Sequence, residues 1–396
     1  MRVLPGKVES STTGAAPMRG DFRYDDERLG PSSDPASPGH LLPQAGEGRT
    51  STLRPTTAWV LSDTRAGHEV QSLGIADALG LSPRLIRLAP RGLIAALAPF
   101  GPIDPREAKL LAPPYPDLVI ACGRRTIPYL RHVKRASGGA VFTVYVNRPA
   151  SGLGTADVIV APRHDGLGGE NVIAPLAPAN RLTPQRLAEA RAALDPRVAA
   201  LPEPRVGLLI GGDSRHFRFS ERDAERLLAD VGAMLDQGWS VAATVSRRTP
   251  ARLVEALRER LVGPHPTPLR GATFSHEWEK EARAFLWAGD GENPYLSILA
   301  GSQALLVTAD SVNMVAEAAT TGAPVHVFEP EGGAAKIAAF LDALEQRGAL
   351  RRWRGRLEHW RYEPLNETPA IAEEIARRYA AFRGAAPVLL HGSCAS

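Results

Sequence analysis

The sequence is poor in the features that most quickly assign a protein to a class. Cysteine occurs only twice in 396 residues, Cys122 inside an apolar run and Cys394 near the C-terminus, so neither a disulfide framework nor a cysteine-rich metal site is available. No run approaches the ~18 to 20 consecutive apolar residues of a membrane-spanning helix. Arg2 and Lys7 are followed by no apolar stretch of the kind a secretory signal needs. The expectation is a soluble cytoplasmic protein. An excess of one charge is also missing. Lys and Arg number 47 against 43 Asp and Glu, and the resulting +4 gives no argument for nucleic-acid binding. The sequence pI of about 9.2 still suits an anionic ligand or a membrane surface. No short-period repeat suggests a solenoid. His164 and Asp165 in "PRHDG" are adjacent and lack HxxxH or DxD companions, so no metal site is expected.

What is present is ordinary globular composition, 44% hydrophobic and 23% charged, at a length that calls for two domains. Residues 1–54 hold six Pro, seven Gly and six Ser with no hydrophobic periodicity, and are expected to be a disordered tail. From Thr56 onward, short Val/Ile/Leu-rich strands alternate with amphipathic helices. "TAWVLS", "PRLIRL", "DLVIAC", "AVFTVYV" and "ADVIVA" form one series. "RVGLLIGG", "WSVAATV", "AFLWAG", "ALLVTA" and "APVHVF" form a second. Continuous apolar strands separated by helices indicate parallel sheets covered on both faces. The expected fold is α/β: two tandem Rossmann-like doubly wound domains facing a cleft. The expected divisions are 55–180, a linker at 181–204, 205–350, and a C-terminal segment at 351–396 whose helix returns towards the first domain.

Four strand-end loops are able to carry chemistry, because such sheets bind ligands at the carboxyl ends of their strands. In "LLIGGDSRHF", Gly211 and Gly212 let a backbone approach an anion, with Asp213 and Ser214 beyond them; Asp213 repels phosphate unless it caps amides. In "LLVTADSVNMVAEAATTGAPV", Asp310 or Ser311 is placed to cap a helix, and helical spacing sets Asp310, Asn313 and Glu317 on one polar stripe. Ser311 and Glu317 are then ~9 Å apart along the axis, which approximates the distance from a nucleotide's diphosphate to its ribose hydroxyls. In "LSDTRAGHEV", Asp63, Arg65 and Gly67 precede His68, which reads either as a base or as a helix-start residue making one capping bond. In "ACGRRTIPY", Gly123, Arg124 and Arg125 sit at another strand end, where arginine either suits an anionic donor or acceptor or is simply solvated. "RRWRGRLEHWRY" interleaves Arg with Trp353 and Trp360; it is able to touch acidic lipid, but more naturally packs back on its domain.

The order of these loops resembles GT-B glycosyltransferases. More closely, "SDTRAGHEVQSLGIADALG", "GGDSRHF", "GDGENPY", "TADSVNMVAEAATTGAPVHVFEP" and "PLNET" resemble the mitochondrial-fission (elongated mitochondria) family over about Ala58 to Tyr379, whose bacterial members are assigned to GT-B glycosyltransferases. The resemblance implies His68 as general base and Gly211, Gly212, Asp213 and Ser214 as a donor phosphate loop. It implies Asp310 and Ser311 as a second phosphate-facing turn beside Asn313, Glu317 as the ribose-binding carboxylate, and Asp63, Arg65, Gly67, Gly123 and Arg124 on the acceptor side. The implied activity is inverting, metal-independent sugar transfer from a nucleoside diphosphate sugar, without a cofactor, to a saccharide or lipid-linked acceptor in cell-envelope assembly. Peripheral contact with the inner membrane fits it. A nucleotide-sugar epimerase or hydrolase, or a noncatalytic scaffold, are the alternatives. "SPGHLLPQAGEGR" resembles translated interspersed repeats of GC-rich bacterial genomes, so translation is expected to start downstream of Met1.

Overall fold

The computed structural model describes residues 53–262 and 283–385; apart from its last two residues, the expected tail lies outside the described residues, as does Cys394. The first series of strands is β1 (Ala58–Ser62), β2 (Arg84–Arg87), β3 (Leu118–Cys122), β4 (Phe142–Val146), β5 (Val158–Val160) and β6 (Val172–Ile173). The second is β7 (Arg205–Ile210), β8 (Phe217–Arg218), β9 (Ser240–Val245), β10 (Ala284–Trp287), β11 (Ala304–Thr308), β12 (Val325–Phe328), β13 (Glu331–Gly332) and β14 (Arg351–Arg352). Two six-stranded sheets result, ordered β2-β1-β3-β4-β5-β6 and β10-β9-β7-β11-β12-β14, with all pairings parallel. The fold is therefore the expected pair of parallel-sheet domains. Strands β8 and β13 form a separate antiparallel pair.

Parallel strands arise here because both of their faces are buried. Along β3, Leu118, Ile120 and Cys122 enter one apolar cluster while Val119 and Ala121 enter the cluster on the opposite face. Along β11, Leu305 and Val307 point one way and Ala304 and Leu306 the other. Each such fully buried Val or Leu contributes roughly 1.5–3 kcal/mol. The helix Thr368–Ala385 sets Ile371, Ala372, Ile375, Ala376 and Tyr379 into the first-sheet cluster that holds Val60 and Ile75. It is tied at its start by Asn180, whose amide donates to Thr368 Oγ1 at 3.0 Å and whose Nδ2 reaches Thr320 Oγ1 at 3.2 Å.

The strand orders locate the crevices. Strand order reverses between β1 and β3 in the first sheet and between β7 and β11 in the second, the positions where a doubly wound sheet opens a crevice at its carboxyl edge. The loops following these four strands are the four singled out in the sequence. The two halves also touch each other directly. Gln71 Nε2 donates to Asn313 Oδ1 at 2.9 Å, Lys336 pairs with Asp165 at 3.3 Å, and the His164 ring meets Phe340 edge-on at 5.1 Å.

Candidate functional site

At the first crevice, the chain leaves β1 through Asp63 and turns at Thr64, a non-glycine residue at φ +69°, before the helix Ala66–Ala78 begins. Residues held in the left-handed region are costly and persist where the surroundings fix them. The turn folds Asp63 back onto the helix, so that its Oδ1 lies 2.8 Å from His68 Nδ1. The Asp63 side chain is 7% exposed and that of His68 21%. Burial pushes the Asp63 carboxyl up, but bonding to His68, its charge and the Arg65 amide outweigh this and hold it below its ordinary value. A carboxylate on Nδ1 fixes the imidazole tautomer and leaves Nε2 as a lone-pair base; among the described residues Nε2 has no partner. A second brace holds the same helix: Ser62 Oγ donates to Glu69 at 2.8 Å, and Arg87 Nε donates to the same carboxylate at 2.8 Å.

Gly123 begins the loop after β3 at φ +99°, and a Cβ there would lie 2.3 Å from Asp63 Oδ2. Only glycine meets both conditions, so the residue expected to face an acceptor instead makes room for the Asp63 carboxylate. Arg124 is exposed, and Arg65, with a side chain 75% exposed, reaches Asp63 at 3.8 Å.

The second crevice repeats this packing. A Cβ on Gly211 would lie 2.2 Å from both Asp310 carboxylate oxygens. The two glycine amides are already engaged: Gly211 donates to Thr308 Oγ1 at 2.8 Å and Gly212 to Asp310 Oδ2 at 2.8 Å. The Asp310 side chain is fully buried and is completed by Thr308 at 2.7 Å and by Arg248 Nη2 at 2.8 Å. Burial pushes its carboxyl up, against the pull of the Gly212 amide, Thr308 and Arg248. Asp310 therefore caps no helix, and Ser311, at the N-cap of the helix Val312–Ala319, makes no side-chain cap bond. Asp213 accepts from the Phe219 amide at 2.9 Å, and Ser214 Oγ from the amides of His216 and Phe217 at 3.2 and 3.1 Å. The Gly-Gly-Asp-Ser turn is thus self-satisfied rather than a row of open donors.

Sequence reasoning missed the loop after β9. Ser246 and Thr249 both donate to the Gly211 carbonyl, and Arg248 spans the carbonyls of Gly212 and Asp213 at 3.2 and 3.1 Å. Arg247 beside it and Arg215 in the neighbouring turn are exposed. The signal was a fifth strand followed by polar "SRRTP" and a helix, of the same form as the loops that were singled out.

Between the crevices, Gly67 approaches Asn313 so closely that a Cβ would lie 2.2 Å from Asn313 Nδ2. Asn313, expected to face a donor, spends its side-chain carbonyl on Gln71 and joins the two halves. One turn further along that helix, Glu317 Oε2 accepts from Tyr295 Oη at 2.5 Å. Burial pushes the Glu317 carboxyl up to about 7, while Tyr295, itself delivered by the "GDGENPY" loop, holds it down. Oε1 has no partner among the described residues. Asp63, Gly67, Gly123 and His68 are therefore brought together, as are Gly211, Gly212, Asp213 and Asp310, and Asn313 connects the two sets. "RRWRGRLEHWRY" packs on the second domain: Arg351–Arg352 form edge strand β14, Trp353 Nε1 donates to Asp230 and Trp360 Nε1 to the Gly348 carbonyl. Among the described residues no three His, Cys, Asp or Glu are grouped as a metal ion needs, and no helix is long and apolar enough to cross a membrane.

In solved structures the chain is similar to the UDP-GlcNAc 2-epimerase of Methanocaldococcus jannaschii in complex with UDP-GlcNAc and UDP, at TM-score 0.44 and 11% identity over 83% of this chain and 99% of that one. It is also similar to the E. coli ADP-heptose lps heptosyltransferase II, at TM-score 0.42 and 13% identity over 83% and 100%. In sequence it is 24% identical over 360 residues to an uncharacterized protein of Rickettsia prowazekii, covering 80% of this chain and 97% of that one. It is 30% identical over 292 residues to the mitochondrial fission protein ELM1 of Arabidopsis thaliana, covering 67% of this chain and 64% of the relative's length. The family model described as Mitochondrial fission ELM1 matches residues 66–379, and the chain belongs to that family.

Proposed function

We propose that the protein is an inverting glycosyltransferase acting on a nucleoside diphosphate sugar. The observation that carries this reading is the Asp63–His68 pair at the β1–β3 crevice, 2.8 Å apart, on a helix whose Gly67 and Gln71 meet Asn313 of the helix that bears Glu317. In this reading Asp63 holds His68 in the tautomer that accepts a proton, and His68 Nε2 deprotonates an acceptor hydroxyl as it attacks the anomeric carbon. The hydroxyl oxygen forms the new bond, the bond to the diphosphate breaks, and the departing oxygen takes the electron pair. With the Gly211 and Gly212 amides engaged, and Arg248 held by Asp310 and the Gly212 and Asp213 carbonyls, the diphosphate falls to the exposed side-chain cations at the ends of β7 and β9, Arg215 and Arg247, rather than to a glycine loop. Glu317, ionised, accepts from the ribose hydroxyls. No step requires a metal ion or a cofactor. Cell-envelope saccharide or lipid-linked acceptors remain the acceptor class that the family resemblance implies.

One observation favours a noncatalytic scaffold instead: the satisfied glycine amides remove the donors on which a diphosphate would ordinarily rest. Titration calorimetry with UDP, ADP, GDP and dTDP separates the two. Binding of at least one of them, weakened tenfold or more in Glu317→Ala, is the expected result. Absence of binding to the parent chain removes the transferase reading.

A further inference from the structure

Among the described residues five large apolar side chains are exposed, and three of them, Leu93, Leu97 and Phe100 at 74%, 48% and 72% exposure, belong to one short helix and its exit. Leu93 and Leu97 stand one turn apart on the outward face of Gly92–Leu97, whereas Ala95 between them is buried. Single exposed apolar residues are normal on a protein surface; a cluster needs an apolar phase to cover it. Phe100 also lines a cavity of about 550 Å³ on the first domain, away from the crevice, together with Arg131, His132 and Arg135. A fourth exposed apolar residue, Leu153, directly precedes Gly154 on the same cavity wall. Lys134 and Asp157 in that wall neutralise each other at 2.8 Å, so the open charge of the wall is that of the arginines. Arg131 is set under Phe100, 5.9 Å from its ring centre, by a 2.9 Å bond to the Pro99 carbonyl.

Charge decides the partner. Residues 84–135 carry ten Lys and Arg against three Asp and Glu; Arg87, Arg106 and Lys134 are paired with Glu69, Asp104 and Asp157, whereas Arg91 precedes the short helix and Arg131 and Arg135 share the cavity wall with Phe100. The three acids are all engaged: Asp104 by Arg106, Glu107 by Tyr129, and Asp117 by Thr56 and Thr57. A soluble polyanion would use the cations but leave Leu93, Leu97 and Phe100 in water. A protein partner would cover the apolar residues but would have to desolvate the arginines against acids of its own. A bilayer with acidic headgroups offers both phases together. We infer that this face docks the protein on an anionic lipid bilayer, with Leu93, Leu97 and Phe100 entering the headgroup–acyl boundary and Arg91, Arg131 and Arg135 meeting lipid phosphates. The segment Arg351–Tyr362, which the sequence offers as able to touch acidic lipid but reads as packing back on its domain, does pack on the second domain, and the surface lies on the first.

The test is co-sedimentation of the full chain with phosphatidylcholine vesicles and with vesicles containing about 30% phosphatidylglycerol, at low and high salt. The parent should bind the anionic vesicles, release them at high salt and ignore phosphatidylcholine. Because Leu93, Phe100 and Arg135 are exposed, their substitution should leave the circular dichroism unchanged. Leu93→Asp and Phe100→Asp should each weaken binding about tenfold, and Arg135→Glu about fivefold or more. The inference fails if the parent binds neither vesicle, or if the three variants bind as the parent does. It also fails if light scattering finds a dimer that Leu93→Asp dissociates, since a second copy then occupies the face.

Discussion

Glu317 gives the sharpest quantitative expectation. Its carboxyl is pushed from 4.5 up to about 7 by burial, partly offset by the Tyr295 hydroxyl. A raised carboxyl means the folded chain holds a proton that the unfolded chain has released, so stability falls as pH rises from about 4.5 to about 7 and stays low above that. At 1.36 kcal/mol per unit, the full cost of charging Glu317 is about 3 kcal/mol, an upper figure because the side chain is partly exposed. Glu317→Gln keeps the shape and an acceptor for Tyr295 while removing the titration. Urea unfolding of both chains across this range should give near-equal stabilities at about pH 5 and a variant more stable by roughly 1–3 kcal/mol at about pH 8. Parallel curves would show that burial does not control this carboxyl. The same titration bears on ligand binding: if Glu317 accepts from ribose hydroxyls as the anion, nucleotide affinity in the parent should rise as pH passes upward through about 7.

Three further outcomes follow from particular contacts. His326 is buried against Trp353 and Trp360 and burial depresses it to about 4; acidification from about 6.5 towards 4 should therefore destabilise the parent by up to ~3 kcal/mol, and His326→Gln should flatten that slope in the same unfolding series. Gly123→Ala places a methyl group against Asp63 at a positive φ and should cost about 1–3 kcal/mol, read as a lower melting temperature, with the Asp63–His68 pair broken; an unchanged melting temperature would show the loop is free to move. Asp310→Ala strands the Gly212 amide and Thr308 but leaves Arg248, 44% exposed, in reach of water, so a loss of about 2–3 kcal/mol is expected, and a loss below ~0.5 would deny Asp310 its bracing role.

The sheets were legible because their strands are uninterrupted runs of Val, Ile, Leu and Ala that fill both faces, and this pattern has few other solutions. Strands β6, β8, β13 and β14 were not legible, since two residues carry no periodicity and Arg351–Arg352 reads as surface. The loops that the sequence singles out lie at the crevices, but their partners were not legible. The Asp63–His68 contact depends on Thr64 adopting a left-handed turn that a threonine does not advertise. Gly211 and Gly212 read as open amides because the groups that satisfy them, Thr308 and Asp310, lie about a hundred residues further on. Asn313 read as donor-facing for the same reason, its partner Gln71 being 242 residues away.

In the proposed reaction a histidine oriented by a carboxylate acts on a donor held by the other half of the molecule. The direct measurement is the release of nucleoside diphosphate from the donor sugar whose nucleotide binds, with acceptor present, comparing parent, His68→Ala and Asp63→Asn. His68→Ala should lose about 10² to 10⁴-fold in rate with nucleotide affinity unchanged, and Asp63→Asn should lose rate in the same direction by misplacing the imidazole proton. Parental turnover by His68→Ala, or a loss of nucleotide binding that accounts for its loss of rate, would show that His68 is not the base.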